Sequence, residues 1–383
     1  MPGNASSFPR DSHCSKERIL LWLYKRGGES LPFFLLNEGE MSNKVKVGIA
    51  GASGYGGGEL IHLLLNHPKV EIERLSAESN AGERLSSLFP NLPDIGILEK
   101  TSSVSLWNDL DILFTALPAG MSSRIVATLP KPHPVVIDLG PDYRFAKADD
   151  FSNVYHMEHG APETLPSSTY GLVEWNRETI SKARYIGSPG CFPTGALLGF
   201  LPFLHAGFLD KGPVIVDGKS GVSGAGRALT QDTHYPEIAE GMKAYKPMVH
   251  RHVPEMENAM NLFSGETGEV IFVPHLIPIN RGLISTIYLP VSDDVTPGMI
   301  ESLLLKYQED NPFVRIVNSP PSSAHVRGTN RIDIHAVRSK KAVVVMTAID
   351  NLIKGAAGQA IQSMNLVLGE DEMTGLPLWG AFP

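Results

Sequence analysis

The sequence has 383 residues and only two cysteines, Cys14 and Cys191, so it can form at most one disulfide. Secreted proteins that depend on disulfides for stability usually carry several, at a much higher density. The scarcity of cysteine therefore predicts a protein of a reducing compartment, and we expect a cytoplasmic location.

Long apolar runs and dense basic runs are missing as well. The longest apolar stretches, such as residues 196–204, are too short to cross the ~30 Å hydrocarbon layer of a membrane. The chain has 33 Lys and Arg against 41 Asp and Glu, a net charge of −8, and no basic cluster suited to a phosphate backbone. We expect neither a membrane nor a nucleic acid as partner.

Residues 1–40 differ in pattern from the rest of the chain. They mix charged residues with Gly and Pro around two short apolar runs and show no strand-turn-helix order. Neither run resembles a signal peptide, and the scattered acidic residues argue against an organellar transit peptide. We interpret this segment as a disordered extension or the product of an upstream start, with Met41 as the natural start.

A nucleotide-binding domain is predicted for residues 41–188. Val45, Val47 and Ile49 alternate into a glycine cluster, and leucines at helical spacing follow. Further short apolar runs alternate with helical segments as far as Ser188, which is the order of a parallel sheet with crossover helices. The fold class predicted is α/β, with a Rossmann-type doubly wound sheet.

The pattern changes after residue 188. Apolar strands are separated by fewer helices, and the alternation at residues 283–289 is typical of a half-buried antiparallel strand. We predict an α+β catalytic domain over residues 189–350, with a mostly antiparallel sheet. Residues 351–383 are predicted to contain a helix that returns to the first domain.

The glycine-rich turn between the first strand and the first helix is typical of dinucleotide binding. Gly51 permits the tight turn, Gly54 allows the backbone to approach a pyrophosphate, and Gly57 allows the helix to pack closely on the strand. The other candidate contacts in this turn are Ala52, Ser53 and Tyr55. Any strand-to-helix turn can use glycine, but the strands on both sides match the required context.

Whether the cofactor carries a 2′-phosphate stays open at this point. Glu78 lies where an acidic residue would bind the ribose hydroxyls of NAD. Ser76, Ser79 and Arg84 lie in the same stretch and offer donors to a phosphate instead.

Cys191 is the strongest candidate for a nucleophile. It lies between glycine and proline residues at the domain junction, just before an apolar helix whose N-terminus is expected to lower the pKa of the thiol. The alternative is a small buried apolar residue, as most free cysteines are. A thiolate beside a nicotinamide site predicts attack on an activated acyl group and reduction of the resulting thioester.

His250 and His252 supply the acid/base chemistry that such a reaction needs. In an extended segment the two side chains would face the same side, with Glu255 near enough to orient one of them. A surface histidine pair is the competing interpretation. We expect no metal site, because no second Cys/His cluster lies nearby.

Five motifs, taken in order, resemble the N-acetyl-γ-glutamyl-phosphate reductase family, the arginine-pathway group of semialdehyde dehydrogenases. The resemblance covers residues 45–383. The motifs are Gly51-Ala-Ser-Gly54-Tyr55, Pro189-Gly190-Cys191-Phe-Pro193-Thr194, the segment 217–227, His250-Arg251-His252 and the segment 351–360.

This resemblance implies NADPH-dependent reduction of N-acetyl-γ-glutamyl phosphate to N-acetylglutamate semialdehyde and phosphate in arginine biosynthesis, by a homo-oligomer (dimer or tetramer). It makes Cys191 the nucleophile and His252 the acid/base, assisted by His250 and Glu255. It also implies that the α+β domain of residues 189–350 is a catalytic and dimerisation domain. Asn351, Ser188 and Pro189 are expected at the nicotinamide. Arg144 and Arg227 are candidates for binding the phosphate or carboxylate of the acyl phosphate substrate.

Two other functions are compatible with the residues. An aspartate-semialdehyde dehydrogenase would use the same mechanism, although its cysteine typically follows Asn rather than Gly190. A dinucleotide-binding sensor without catalytic activity would need neither a reactive Cys191 nor the two histidines.

Overall fold

The computed structural model describes residues 44–103 and 107–380, which belong to one compact unit. The expectations for residues 1–40, Met41 and Cys14 fall outside these ranges. Within them, no helix is both long and apolar enough to cross a membrane.

The first sheet is parallel throughout and has seven strands in the order β3-β2-β1-β4-β5-β7-β6. Its strands are β1 Val45–Ala50, β2 Val70–Ala77, β3 Glu99–Lys100, β4 Ile112–Thr115, β5 Val135–Asp138, β6 Ser168–Tyr170 and β7 Tyr185–Gly187. The helices of this half are α1 Tyr55–Leu64, α2 Leu85–Leu88, α3 Met121–Thr128, α4 Ala148–Tyr155 and α5 Val173–Ile180.

Separate apolar clusters cover the two faces of this sheet. In β4, Ile112 and Phe114 pack with the cluster that contains α1, whereas Leu113 packs with the cluster that contains α3. Burial on both faces is why these strands are apolar at every position. The sequence order reverses between β1 and β4, so a crevice opens at the carboxyl ends of these two strands.

The second sheet is mixed and mostly antiparallel, with the strand order β12-β13-β14-β11-β8-β10-β9. Its strands are β8 Val214–Gly221, β9 Lys243–Ala244, β10 Val270–Ile277, β11 Leu283–Pro290, β12 Val314–Ile316, β13 Ile332–Arg338 and β14 Ala342–Ile349. The helices of this half are α6 Cys191–His205, α7 Tyr235–Ile238, α8 His252–Ser264, α9 Pro297–Glu309, α10 Ser323–Val326 and α11 Gly358–Val367. The predicted fold class is confirmed.

Helix α6 is almost fully apolar because it is buried between the second sheet and α8. It begins at Cys191 itself, so this cysteine is the first residue of the helix and does not precede it as expected. After β14 the chain forms one π-helical segment, Ile353–Ala357, which continues into α11. Helix α11 packs against α5 and α1 of the first half.

Candidate active site

The glycine turn lies at the carboxyl end of β1, at the point where the strand order reverses. Gly51 has φ +90°, and a Cβ at this residue would lie 2.3 Å from the carbonyl oxygen of Ala116, so only glycine fits. A Cβ at Gly57 would lie 2.3 Å from the carbonyl oxygen of Gly51, which keeps α1 close to the turn. The first turn of α1 therefore faces the crevice with its N–H groups.

A cavity of about 800 Å³ opens above this turn, and we call it the glycine cavity. Ser53, Gly54 and Tyr55 line it together with Gly51, whereas Ala52 and Gly57 are buried behind the turn. Pro189 and Asn351 line its other side. An elongated nucleotide fits a cleft of this size, with its pyrophosphate at the glycine turn.

The two candidate phosphate contacts beyond β2 are placed differently. Ser79 lines the glycine cavity beside Glu78. Arg84 does not line it: its Nε donates a 2.6 Å hydrogen bond to Asp94. The structure therefore brings Ser79, and not Arg84, to the cavity.

The nicotinamide candidates surround the end of β7 and the end of β14. Asn351 is buried, accepts a 2.7 Å hydrogen bond from the backbone of Gly282 and donates one of 3.0 Å to Ser223. Ser188 is fully buried and its hydroxyl has no partner among the described residues. Ser188 does not line the glycine cavity, whereas its neighbour Pro189 does.

Cys191 is the first residue of α6 and is half-buried. Burial raises the pKa of its thiol, although the guanidinium groups of Arg144 and Arg251 act in the opposite direction. The expected lowering of this pKa by the helix N-terminus was wrong, because the loss of hydration outweighs the nearby positive charge. The thiol therefore needs a base to remove its proton.

His252 is the base nearest to the start of α6. A Cβ at Gly190 would lie 2.4 Å from His252 Nε2, so the imidazole lies directly against the residue before Cys191. His252 is buried, and burial holds its pKa well below the usual value. The ring is neutral at pH 7 and can accept a proton, while its Nδ1 has no partner within the described part of the chain.

His250 supports His252 rather than facing the same side of a strand. The predicted extended segment is wrong: His252 begins α8, and Arg251 before it has helical φ and ψ of −54° and −17°. His250 Nδ1 accepts a 3.1 Å hydrogen bond from the backbone N–H of His252. The two ring centroids are 4.5 Å apart.

Glu255 does not orient either histidine in this structure. Its carboxylate is fully buried and accepts hydrogen bonds from Tyr170 Oη at 2.9 Å, Arg144 Nη1 at 3.0 Å and the backbone N–H of Gly190 at 2.8 Å. Glu255 therefore fixes the residue that precedes Cys191.

Both candidate arginines, Arg144 and Arg227, are hydrogen-bonded to protein groups. Arg144 is buried, and its three nitrogens donate to Glu255, to the carbonyl of Ser188 and to the carbonyl of Leu139. Arg227 reaches across to the glycine turn, where it donates to the carbonyl of Ser53 at 3.0 Å. Both line the glycine cavity, Arg144 as a buried brace and Arg227 at its rim.

A second cavity, of about 850 Å³, contains both histidines, and we call it the histidine cavity. Four residues line both cavities, namely Cys191, Gly224, Arg251 and His252. A thiol and an imidazole thus stand where the two cavities meet. Within the described ranges, no group of three His, Cys, Asp or Glu side chains is arranged to hold a metal ion.

Several residues of the site were not found from the sequence. Asp138, at the end of β5, is fully buried and accepts hydrogen bonds from Thr115 and Ser122, both at 2.7 Å. Burial raises its pKa to about 6, and Asp142 adds to the effect. Asp142 in turn accepts from the backbone of Gly120 at 2.7 Å, so these acids hold the loops around the glycine cavity. In the sequence, the acidic residue Asp138 directly after the apolar run of β5 could have indicated a buried carboxylate at this position.

Comparison with known proteins agrees with this architecture. Residues 46–183 match the family model described as the semialdehyde dehydrogenase NAD binding domain, and residues 191–351 match the semialdehyde dehydrogenase dimerisation domain. Aspartate semialdehyde dehydrogenase II from Vibrio cholerae, solved with ASA, has a TM-score of 0.67 at 15% identity and covers 86% of this chain and 99% of its own. The enzyme from Candida albicans, solved with NADP, has a TM-score of 0.65 at 16% identity, with coverages of 85% and 98%. The fold and the paired cavities define a semialdehyde dehydrogenase with a nicotinamide dinucleotide site.

Relatives of higher identity distinguish the group within this class. N-acetyl-gamma-glutamyl-phosphate reductase from Citrifermentans bemidjiense is 43% identical over 347 residues, which are 88% of this chain and 100% of that protein. The protein of the same name from Brevibacillus brevis is 41% identical over 345 residues, with the same coverages. The chain belongs to the N-acetyl-gamma-glutamyl-phosphate reductase family, as its five motifs predicted.

Proposed function

We propose that this protein is an enzyme that reduces N-acetyl-γ-glutamyl phosphate to N-acetylglutamate semialdehyde and phosphate with NADPH. The observation that carries the proposal is the position of Cys191, which lines both the glycine cavity and the histidine cavity. A substrate in one cavity and a nucleotide in the other would meet at this sulfur. The names and the full-length coverage of the relatives support the choice of substrate.

The first half of the reaction makes a thioester. His252 takes the proton of the Cys191 thiol, the sulfur attacks the acyl carbon, and the bond from this carbon to the phosphate oxygen breaks. Burial favours this order of events, because it keeps the imidazole neutral and the thiol protonated until substrate arrives. Phosphate leaves and carries the electron pair of the broken bond.

The second half returns the proton. A reduced nicotinamide bound beside Pro189 and Asn351 would supply the hydride that reduces the thioester carbon. The protonated His252 donates to the oxygen of the reduced acyl group, and it withdraws the proton again as the carbon–sulfur bond breaks. Aldehyde leaves, and the proton on His252 returns to the sulfur, which restores the Cys191 thiol and the neutral imidazole.

The remaining residues of the site hold these groups in place. Glu255 and Arg144 fix the backbone at Gly190, and His250 fixes the backbone of His252. Asn351 and Pro189 would flank the nicotinamide ring, with Ser188 behind them, and the glycine turn from Gly51 to Gly57 would hold the pyrophosphate. Ser79 is the side chain at the rim that would favour NADPH over NADH, and Arg227 would contact the nucleotide instead of the acyl substrate.

We also propose a homodimer formed through the open face of the second sheet. An apolar row crosses five neighbouring strands on this face, because Val337 pairs with Val344, which pairs with Tyr288, then Ile215 and Ile271. Tyr288 is 41% exposed and Val337 is 47% exposed. An apolar row of this length on an open sheet is typical of a subunit interface. Light scattering should show a dimer or tetramer, and Tyr288→Lys should dissociate it.

The test of the activity is an assay in the oxidative direction with NADP, phosphate and either N-acetylglutamate semialdehyde or aspartate semialdehyde. The acetylated aldehyde should be preferred by orders of magnitude. Cys191→Ser should abolish turnover and leave nucleotide binding intact. A preference for aspartate semialdehyde would make the protein an aspartate-semialdehyde dehydrogenase, and no turnover of either aldehyde would favour the sensor.

The chemistry and the scarcity of cysteine both suit the cytoplasm.

A further inference from the structure

Two hydrogen-bond donors in the histidine cavity have no partner among residues 44–103 and 107–380. The hydroxyl of Tyr155 is buried and makes no hydrogen bond. The guanidinium of Arg251 neither donates a hydrogen bond nor forms an ion pair within these ranges, and it is exposed to both cavities. A buried donor without a partner is unfavourable, so its place in a cavity wall points to a ligand.

The fold fixes Tyr155 before any ligand is bound. Tyr155 is the last residue of α4, which ends because His156 adopts a left-handed conformation with φ 55°. The ring of Tyr155 packs against the fully buried ring of Phe151, at a centroid distance of 5.0 Å. The hydroxyl is therefore held in position by packing, and only its hydrogen bond is missing.

The charges around this hydroxyl favour an anionic partner. Burial raises the pKa of Tyr155 to about 12, so at neutral pH it is a donor. Arg144 is neutralised by Glu255 at 3.0 Å, and Lys243 by Asp232 at 2.7 Å. Arg251 is close enough to Tyr155, Cys191 and His252 to shift the pKa of each, and no carboxylate among the described residues neutralises it.

We propose that Tyr155 and Arg251 form a two-point site for an oxyanion of the substrate, beside the sulfur of Cys191. The site rests on the proposed function for its ligand, which carries two kinds of oxyanion, a phosphate and a carboxylate. Neither residue was a candidate from the sequence, and the arginines that were candidates are engaged elsewhere. Both groups donate hydrogen bonds to the same kind of acceptor, one as a neutral hydroxyl and one as a fork of charged nitrogens.

A chemical probe tests the site without reference to the substrate. Iodoacetate is an anion and iodoacetamide is its neutral counterpart, and mass spectrometry can follow the alkylation of Cys191 by each. Tyr155→Phe and Arg251→Met should each lower the ratio of the iodoacetate rate to the iodoacetamide rate several-fold, and Arg251→Lys should keep part of the wild-type ratio. In the wild type, inorganic phosphate should slow the reaction with iodoacetate only. Tyr235→Phe and Arg74→Met are matched controls, because both residues lie outside the two cavities. An unchanged ratio in both test variants overturns the site.

Steady-state kinetics in the oxidative direction then assigns the oxyanion. Loss of one neutral or one charged hydrogen bond should raise a KM by about 5-fold for Tyr155→Phe and by about 10- to 100-fold for Arg251→Met. A rise confined to the KM of inorganic phosphate identifies the leaving group, and a rise confined to the KM of the aldehyde identifies the carboxylate. If both KM values stay constant, the substrate does not use the site and the proposal fails. A changed alkylation ratio in a protein that turns over no aldehyde would instead refute the proposed function.

Discussion

Glu255 Oε1 accepts a 2.8 Å hydrogen bond from the backbone N–H of Gly190, the residue immediately before Cys191. The same carboxylate is the partner of Arg144, which is 111 residues away in the sequence and belongs to the first half of the molecule. Because Gly190 is the N-cap of α6, this carboxylate fixes the backbone at the start of the helix, next to the residue that carries the thiol.

Replacing Glu255 by Gln should impair turnover and stability together. The amide keeps the shape of the side chain but removes the negative charge beside the buried Arg144. Its NH₂ group would also face one of the three donors that hydrogen-bond to the Glu255 carboxylate. We expect kcat to fall by about 10²-fold and the free energy of unfolding to fall by about 3–5 kcal/mol. Urea unfolding and initial rates measure the two effects. Glu178→Gln is the control, since Glu178 forms an exposed surface pair with Lys182; equal losses in both variants would contradict the prediction.

Lys354 and Glu174 form a fully buried ion pair at 2.5 Å, which connects the π-helical segment to α5. Lys354→Met should leave the carboxylate of Glu174 unpaired and lower the free energy of unfolding by about 3–5 kcal/mol. The double variant Lys354→Met/Glu174→Gln should recover part of this loss, because it buries no net charge. Chemical denaturation measures each value. Lys182→Met, which breaks an exposed pair, should cost about 0.5 kcal/mol or less.

The alkylation rate of Cys191 by iodoacetamide should keep rising with pH above the ~8.5 that is typical of a free thiol. The reason is burial, which raises the pKa of Cys191 in the unliganded protein. A rate that levels off near pH 6–7 would show that positive charge outweighs burial. Repeating the titration in His252→Gln tests whether the imidazole contributes to the profile.

Because His250 is buried, we expect the free energy of unfolding to fall as the pH drops below neutrality. Burial lowers its folded-state pKa to about 4, against about 6.5 when unfolded, so the unfolded chain binds the proton more readily. The stability that comes from keeping His250 neutral is fully present above pH 6.5. It is lost as the pH falls toward 4, and the total loss in the free energy of unfolding is up to about 3 kcal/mol. Urea midpoints at pH 7 and pH 5 for the wild type and for His250→Gln measure it. The variant should lose less stability between these two pH values, and parallel losses would contradict the expectation.

The elements that are specified by residues close together in the sequence could be predicted. The alternation of Val45, Val47 and Ile49 into the glycine turn predicts a strand, a turn and a helix because each is specified locally. The antiparallel pairing of β11 with β14 and β8 agrees with the half-buried pattern at residues 283–289 in the same way, whereas the two parallel pairs of the second sheet were not predicted. Local order also explains why the two domains and their order could be proposed from the sequence.

The contacts that complete the site join residues too distant in the sequence to be paired by inspection. Gly190 and Glu255 are 65 residues apart, and the two acceptors of Arg227, Ser53 and Leu88, lie in the other half of the chain. The direction of the Cys191 pKa depends on burial, which a helix start alone does not reveal. One error was avoidable, because Pro254 and Glu255 are typical first-turn residues and indicate that α8 begins at the histidines.

The wall behind the nucleophile comes from the end of the chain. A Cβ at Gly355, in the π-helical segment, would lie 2.8 Å from the Cβ of Cys191, so the β-carbon that carries the sulfur lies against a residue 164 positions later in the chain. During synthesis both sheets can form while the thiol still lacks this support. A chain that stops before residue 353 would also lack Gly355 and Ala356 from the wall of the glycine cavity, so both the support of the nucleophile and the nucleotide cleft are completed only when translation is nearly finished.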